Sequence, residues 1–512
     1  MKERRRFNRF NLSVLAGAIF VIMGLLTQNG HAVQKHPVHK HKHKHKHKHK
    51  EPYKHKRWHK HKASYKHKAH KTPVITSNDS KPDDNSLRQA ILEALSNNPN
   101  INADIASKQE AIQRIEQAKA GYYPTLDARA AGGYGYLRNK LSPTKINGGA
   151  HGTVVSDRYD MSLSVKQMVF DGLDTPHRVE KASREELQSS KKINETRELV
   201  AFNAAREYIT LRRFQRLVRL AEENIKQHQT VLAKVRAQVN AGRTTIADVQ
   251  HVEARLADAK ASLQDIKGDL ESAIARYIEL MGHAPGTLRK VSIPRNLLPV
   301  SLEAALEAAR RSNRSLEVAN ASVEVAKADL SIMDAPFYPS LFLESDAQRS
   351  FNGPGEKGNQ TTLSALAVVR YNLFNGGRDI AKKREYIERV TEAKFKRDGA
   401  LRRADREVRV SWAEMVNAHK QAEALRSAVV TKNQVRQTFL SQFDLGTRSF
   451  LEILDATHEE FLAKGSLITA DASEDIASLR LLATMGSLAE IYAHPEMSQK
   501  KSETVPAVYT LK

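Results

Sequence analysis

No cysteine occurs anywhere in the 512 residues. That excludes disulfides, thiolate metal sites and cysteine nucleophiles, and an anchor on a lipidated N-terminal cysteine is not expected. Long apolar runs are missing too. The one of note, Leu12–Leu26, has 15 residues, short of the roughly 20 that a membrane-spanning helix needs. Catalytic signatures are absent. There is no Gly-x-Ser-x-Gly and no phosphate-binding loop, and His458-Glu459-Glu460 lacks the second His of a zinc-protease helix. The chain is not expected to be an enzyme, and no cofactor is expected.

Acidic residues are scarce at one end. The net charge is +24, but residues 1–32 carry +4, residues 33–71 carry +14, and the remaining 441 carry only +6. The basic character belongs to a tail, so the body is not read as a nucleic-acid surface and no nucleic-acid partner is expected.

What is present begins with a basic start (Lys2, Arg4, Arg5, Arg6, Arg9), the apolar run, and small residues at Gly30 and Ala32. This is the pattern of a secretory signal peptide over 1–32, cleaved after Ala32. A retained signal anchor is the alternative. Residues 33–85 read as a disordered His/Lys-rich tail and linker. Three readings of the tail stay open. His39, His41, His43, His45, His47 and His49 suit weak capture of Zn, Cu or Ni, although every imidazole has cationic neighbours. The tail also suits polyanions such as lipid headgroup phosphates. The plainest reading is a solvated repeat expansion.

Between His177 and Ala241 lie 65 residues without a glycine or proline. One helix of that length would run about 98 Å. The break Ala241-Gly242-Arg243-Thr244-Thr245 follows, then a second helical run to Met281-Gly282. In it Val249, Leu256, Leu263, Leu270 and Tyr277 recur every seven residues, as do Val252, Ala259, Ile266, Ala273 and Leu280. These two rows predict a coiled-coil seam against the long helix.

The plan is duplicated. Ser86-Leu87 to Tyr122-Tyr123-Pro124-Thr125-Leu126 matches Ser301-Leu302 to Phe337-Tyr338-Pro339-Ser340-Leu341 at an offset of 215. Val169-Phe170-Asp171-Gly172, Gly242 and Met281-Gly282 match Leu373-Phe374-Asn375-Gly376, Gly446 and Met485-Gly486 at an offset of 204. The repeats are placed at 86–300 and 301–490, with a polar C-terminal tail over 491–512. Each predicts a short helix (86–97, 301–312), a second helix (101–120, 316–334) and two strands before the long rod. The 11-residue difference is assigned to the Gly-rich loops between the strands.

In 159–170 the residues Tyr159, Met161, Leu163, Val165 and Val169 share a face opposite Asp160, Ser162, Ser164 and Lys166. In 361–374 Leu363, Ala365, Ala367, Val369, Tyr371 and Leu373 do the same. The partner strands, 125–138 and 340–350, alternate less cleanly. Such one-sided strands suit a membrane barrel, and a soluble hairpin is the alternative. Four strands cannot close a barrel, because the smallest need about eight. An open edge in lipid is prohibitive, so the chain is expected to oligomerise. The rod lengths also fit: the second helix of a repeat plus the returning helix nearly matches the long one. Ala456, Ala463, Ala470 and Ala477 add a heptad stripe of small residues.

These features resemble the TolC family of outer-membrane efflux and secretion channels. The match is carried by the Tyr-Pro elements, by Phe-Asp-Gly and Phe-Asn-Gly-Gly before the rods, and by the tips at 241–250 and 445–457. The resemblance implies a mainly α fold with a transmembrane β-barrel: a homotrimer with a 12-stranded barrel in the outer-membrane lipid of a Gram-negative bacterium and an α-helical barrel in the periplasm. It implies a periplasmic adaptor protein and an inner-membrane pump of ABC, RND or MFS type. Gly242, Thr245, Gly446, Thr447 and Ser449 would form the adaptor-docking tips. Glu452 and Asp455 would ring the pore constriction, where three copies would raise each other's pKa values. Asp248 and Arg448 would link the closed gate, with Phe443 where a tyrosine is sometimes seen. The expected function is a passive exit duct for drugs and small molecules or for unfolded proteins. A structural coiled-coil envelope protein without a pore is the alternative.

Overall fold

The structure, a computed structural model, describes residues 86–138, 153–291, 293, 295–353, 358–445 and 447–493. The signal segment, the His/Lys tail with His39–His49, Gly446 and the segment after residue 493 lie outside the described residues. Two units are distinguished. One takes strand residues from 128–163 and 346–364; the other takes all the helices and the remaining strand residues.

In the helical unit each repeat opens with capped short helices. Ser86 starts α1 (Leu87–Asn97) by accepting from Gln89 N at 3.3 Å, and Asn98 starts α2 (Pro99–Lys119) with proline in the first turn. The long stretch is a single helix, α3 (Asp174–Asn240), and α4 (Ile246–Met281) returns along it. The second repeat supplies α5 (Leu302–Ser312), α6 (Arg314–Ile332), α7 (Arg378–Asp444), α8 (Phe450–Thr484) and a short α9 (Leu488–Ala493). Both α3 and α7 have 67 residues, about 100 Å of helix.

The predicted seam is buried. Val249, Val252, Leu256, Ala259, Leu263, Ala273 and Tyr277 are all covered, with Ile266, Leu270 and Leu280 half-covered. The alanine stripe of α8 is buried along its whole length. Each buried Leu, Ile or Val contributes about 1.5–3 kcal/mol of transfer free energy, and the seam repeats that gain turn after turn. α3 packs against α1, α2 and α4 of its own repeat and against α6 and α8 of the other. Among the described residues α7 makes its main contacts with α5, α6 and α8 of its own repeat. The first long helix therefore has half-length helices of both repeats against it, whereas the main contacts of the second, among the described residues, are with its own repeat.

Gly486 shows how tightly the repeat end fits: its φ is +74°, and a Cβ there would lie 2.0 Å from the carbonyl oxygen of Ser312. No other residue type fits without moving backbone.

The four strands, β1 (Thr125–Arg138), β2 (Thr153–Phe170), β3 (Ser340–Phe351) and β4 (Asn359–Arg370), form one sheet in the order β1-β2-β3-β4. Cross-strand partners run in opposite senses. Lys166 meets Glu344 at 3.4 Å, while Tyr159 meets Phe351 with ring centroids 6.3 Å apart. Likewise Ser340 donates to Arg370 O at 3.2 Å and Asn352 N to Gly358 O at 2.9 Å. Neighbouring strands are thus antiparallel, and β1 and β4 are edges.

Two expectations are corrected. β4 ends at Arg370, so Tyr371 and Leu373 lie beyond it. Asn372 turns the chain there, its side-chain oxygen accepting from Phe374 N at 3.1 Å. β2 starts at Thr153, six residues before Tyr159, and has 18 residues against 12 in β4. At the offset of 204, however, β2 begins only two residues before the counterpart of Asn359, so most of the 11-residue difference falls between the strands, at 139–152, outside the described residues. The alternation itself holds. Val155, Tyr159 and Met161 are 65%, 53% and 63% exposed, while Ser156, Arg158, Asp160 and Ser162 between them are half-buried. That is the reverse of a soluble sheet.

Candidate gate at the helical tips

The two tips differ from the rods above them because their backbone groups are satisfied by side chains. At the first tip Gly242 takes φ +68°, with its N–H on Val239 O at 2.9 Å and Arg243 N on Gln238 O at 2.9 Å. These bonds close the end of α3. Thr245 and Asp248 then start α4 as a capping box. Asp248 accepts from Thr245 N at 2.9 Å and from the hydroxyl of Thr244. The Thr244 hydroxyl and the Thr245 N–H hold the Asp248 carboxyl below its ordinary value.

The second tip repeats the device. Thr447 bonds Gln442 O through its N–H and its hydroxyl, both at 3.0 Å. Ser449 and Glu452 form the capping box of α8. Arg448 is held on three sides: Nε on Gln442 Oε1 at 2.9 Å, an ion pair with Glu452, and its guanidinium 4.3 Å over the Phe439 ring. The Ser449 N–H and Arg448 hold the Glu452 carboxyl below the usual carboxylate range. Asp455 faces Arg255 of α4 at 3.8 Å and is largely exposed. Phe443 is buried in a tip core with Val235, Val252, Phe450, Ile453 and Leu454.

Within the chain, Asp248 and Arg448 each serve their own helix start and are not brought together. Within one chain Glu452 is a clamped, easily ionised carboxylate.

Sequence reasoning missed Glu460. It is 1% exposed, yet it accepts from Asn433 at 2.6 Å, from Lys464 at 2.8 Å and from Arg436. Burial alone would push its pKa up; the bonds from Lys464, Asn433 and Arg436 outweigh that and hold it down. The signal was available, because Glu460 stands one heptad after Ile453, at a core position. His228 is also buried, and burial with nearby His458 and Arg255 pushes its pKa down. Among the described residues no group of three or more His, Asp or Glu is arranged to hold a metal ion.

The arrangement offers capped, polar helix turns above a packed tip core, with carboxylates at the start of α8, features that suit a helical tip rather than a site of chemistry among the described residues. Comparison with known proteins points the same way. The model of the family described as outer membrane efflux protein matches residues 90–283 and 305–487. The chain is similar to the outer membrane efflux protein BepC of Brucella suis, 23% identical over 419 residues, covering 82% of this chain and 89% of the relative. It is 22% identical to the outer membrane protein TolC of Vibrio cholerae over 421 residues, covering 79% and 91%. Among solved structures, one of CusC superposes with a TM-score of 0.67 at 18% identity, over 80% of this chain and 95% of that one.

Proposed function

Because the chain belongs to the outer membrane efflux protein family, with a TolC-like fold, we propose that three copies form the exit duct of a tripartite export system. The sheets of three copies close a 12-stranded barrel in the outer membrane of a Gram-negative bacterium, and the helices line a periplasmic tube. The tips at Gly242, Thr245, Gly446, Thr447 and Ser449 dock a periplasmic adaptor, which couples the duct to an inner-membrane pump. Drugs, other small molecules or unfolded proteins pass through it without chemistry. Glu452 and Asp455 form the constriction and favour cations. Asp248 and Arg448, released from their own caps or shared with a neighbouring copy, control the gate beside Phe443.

The observation that carries this reading is the inverted sheet. Tyr159 and Met161 are bare while Arg158 and Asp160 are sheltered, and the sheet ends in two unpaired edges, β1 and β4. Apolar side chains facing out and polar ones in suit lipid outside and water inside. Open edges in lipid leave backbone groups unsatisfied at several kcal/mol each, so further strands must come from other copies.

The test is single-channel conductance of the purified trimer in a planar bilayer, with Glu452→Ala/Asp455→Ala alongside. Cation-selective openings blocked by divalent cations are expected, with selectivity and block lost in the variant. A folded trimer that stays silent even after Arg448→Ala opens the tip would sink the duct.

A further inference from the structure

The second repeat inverts charges of the first, and the inversion specifies how one copy of the chain meets another. α3 and α7 begin at Asp174 and Arg378 and end at Asn240 and Asp444, at the constant offset of 204. α2 and α6 begin at Pro99 and Arg314, at the offset of 215. Position by position, Lys181 and Glu185 on α3 correspond to Glu385 and Arg389 on α7, and Arg114 on α2 corresponds to Asp329 on α6.

Asp329 draws cations from two long helices. It accepts from Lys181 of α3 at 2.7 Å, and it attracts Arg389 of α7, the long helix of its own repeat. Its counterpart Arg114 has the matching partner in its own repeat, Glu185 at 3.7 Å. Every sign is reversed. The member left over is Glu385, the counterpart of Lys181. Among the described residues it bridges Arg389, one turn away, and it stays half-exposed. Arg114 is half-exposed as well.

We infer that Glu385 on α7 of one copy pairs with Arg114 on α2 of a second copy, so that the junction between copies repeats the α3–α6 junction with its charges reversed. The neighbouring positions agree. Gln188 donates to Ser322 at 2.8 Å across the internal junction; the corresponding residues are Glu392 and Ser107, an acceptor and a hydroxyl donor. Phe395, 71% exposed, stands where Lys191 is half-covered by α6 and meets Glu317 at 3.2 Å, and the second copy covers it. Further along, Arg216 and Asp471, 3.4 Å apart, correspond to Lys420 and Lys267, which repel. At that position the junction between copies gains no attraction, unlike the α2 half around Arg114.

This inference rests on the trimeric reading above, and its test separates the two. The chain has no cysteine, so Arg114→Cys/Glu385→Cys introduces the only thiols. A disulfide needs Cα atoms within about 7 Å, so a short bismaleimide that bridges an ion-pair separation is the probe. A covalent trimer is expected from the double variant in detergent, and none from either single variant. Glu385→Lys should lower the temperature at which the trimer dissociates in electrophoresis. The full inversion Arg114→Asp/Glu185→Arg/Glu385→Lys, which copies the Asp329, Arg389 and Lys181 of the internal junction, should restore it. A trimer that forms but gives no covalent product, or an inversion that does not restore it, overturns the register and leaves the duct standing. A parent chain that is not trimeric overturns both.

Discussion

Arg448 and Glu452, one turn apart at the start of α8, form an ion pair inside the capping box that Glu452 makes with Ser449. One carboxylate thus caps a helix, neutralises a guanidinium and occupies the position assigned to the pore constriction. Anything that draws Arg448 away changes the charge presented there.

Arg448→Ala should raise single-channel conductance and move the loss of cation selectivity to higher pH. Glu452 has a depressed pKa, so it stays ionised above that value and loses its charge as pH falls through it. Without Arg448 the value returns toward the ordinary carboxylate range. Stability should change little, since the pair is half-exposed. Conductance recorded from pH 7 down to pH 3 checks the order of the two midpoints.

Glu460→Ala should destabilise the tip strongly. It strips the partner from Arg436, which is itself nearly buried, and an uncompensated buried charge costs about 3–5 kcal/mol. Glu460→Leu/Arg436→Leu removes both charges and should recover most of the loss. Thermal unfolding followed by circular dichroism distinguishes them; equal melting of the two variants would contradict the coupling.

Glu198 on α3 accepts from Leu488 N at 2.6 Å and Ala489 N at 3.1 Å at the start of α9. Burial pushes its pKa up to about 7. A carboxyl with a raised folded pKa favours the folded state at low pH, and that contribution is lost as pH rises from about 4.5 through about 7. The wild type should therefore gain stability on going from pH 8 to pH 5, by up to about 3 kcal/mol. Glu198→Gln should flatten that slope. His228, whose pKa is depressed, acts in the opposite sense, so the difference between wild type and variant is the quantity to measure in matched denaturant titrations.

Gly242→Ala and Gly486→Ala separate conformation from contact. Both glycines have positive φ, but a Cβ at Gly242 meets nothing within 4 Å, while at Gly486 it strikes the Ser312 carbonyl. The first should cost about 1–2 kcal/mol, the penalty of the left-handed region alone. The second should cost more, with loss of folded protein in the membrane fraction as its sign. Equal yields of the two would argue against the close approach.

What could be read from the chain was whatever depends on local spacing. The length of α3 follows from 65 residues without a breaker, and the burial of Val249, Leu256 and Leu263 from their heptad interval. The start of α5 follows from Ser301. The duplication aligned both long helices to the residue, since equal offsets survive any packing. The strand ends were less legible. Tyr371 and Leu373 continue the alternation, yet Asn372 bends the backbone first.

The tertiary structure alone decided which charges meet. Glu460 is charged in sequence and buried in space because the register of α7 against α8 brings Asn433 and Arg436 to it. That α3 packs against helices of both repeats, while the main contacts of α7 among the described residues are with its own, also depends on which helices pack together. Periodicity is a property of one helix and is written in its residues. Pairing is a property of two helices in register, and it exists only once they pack.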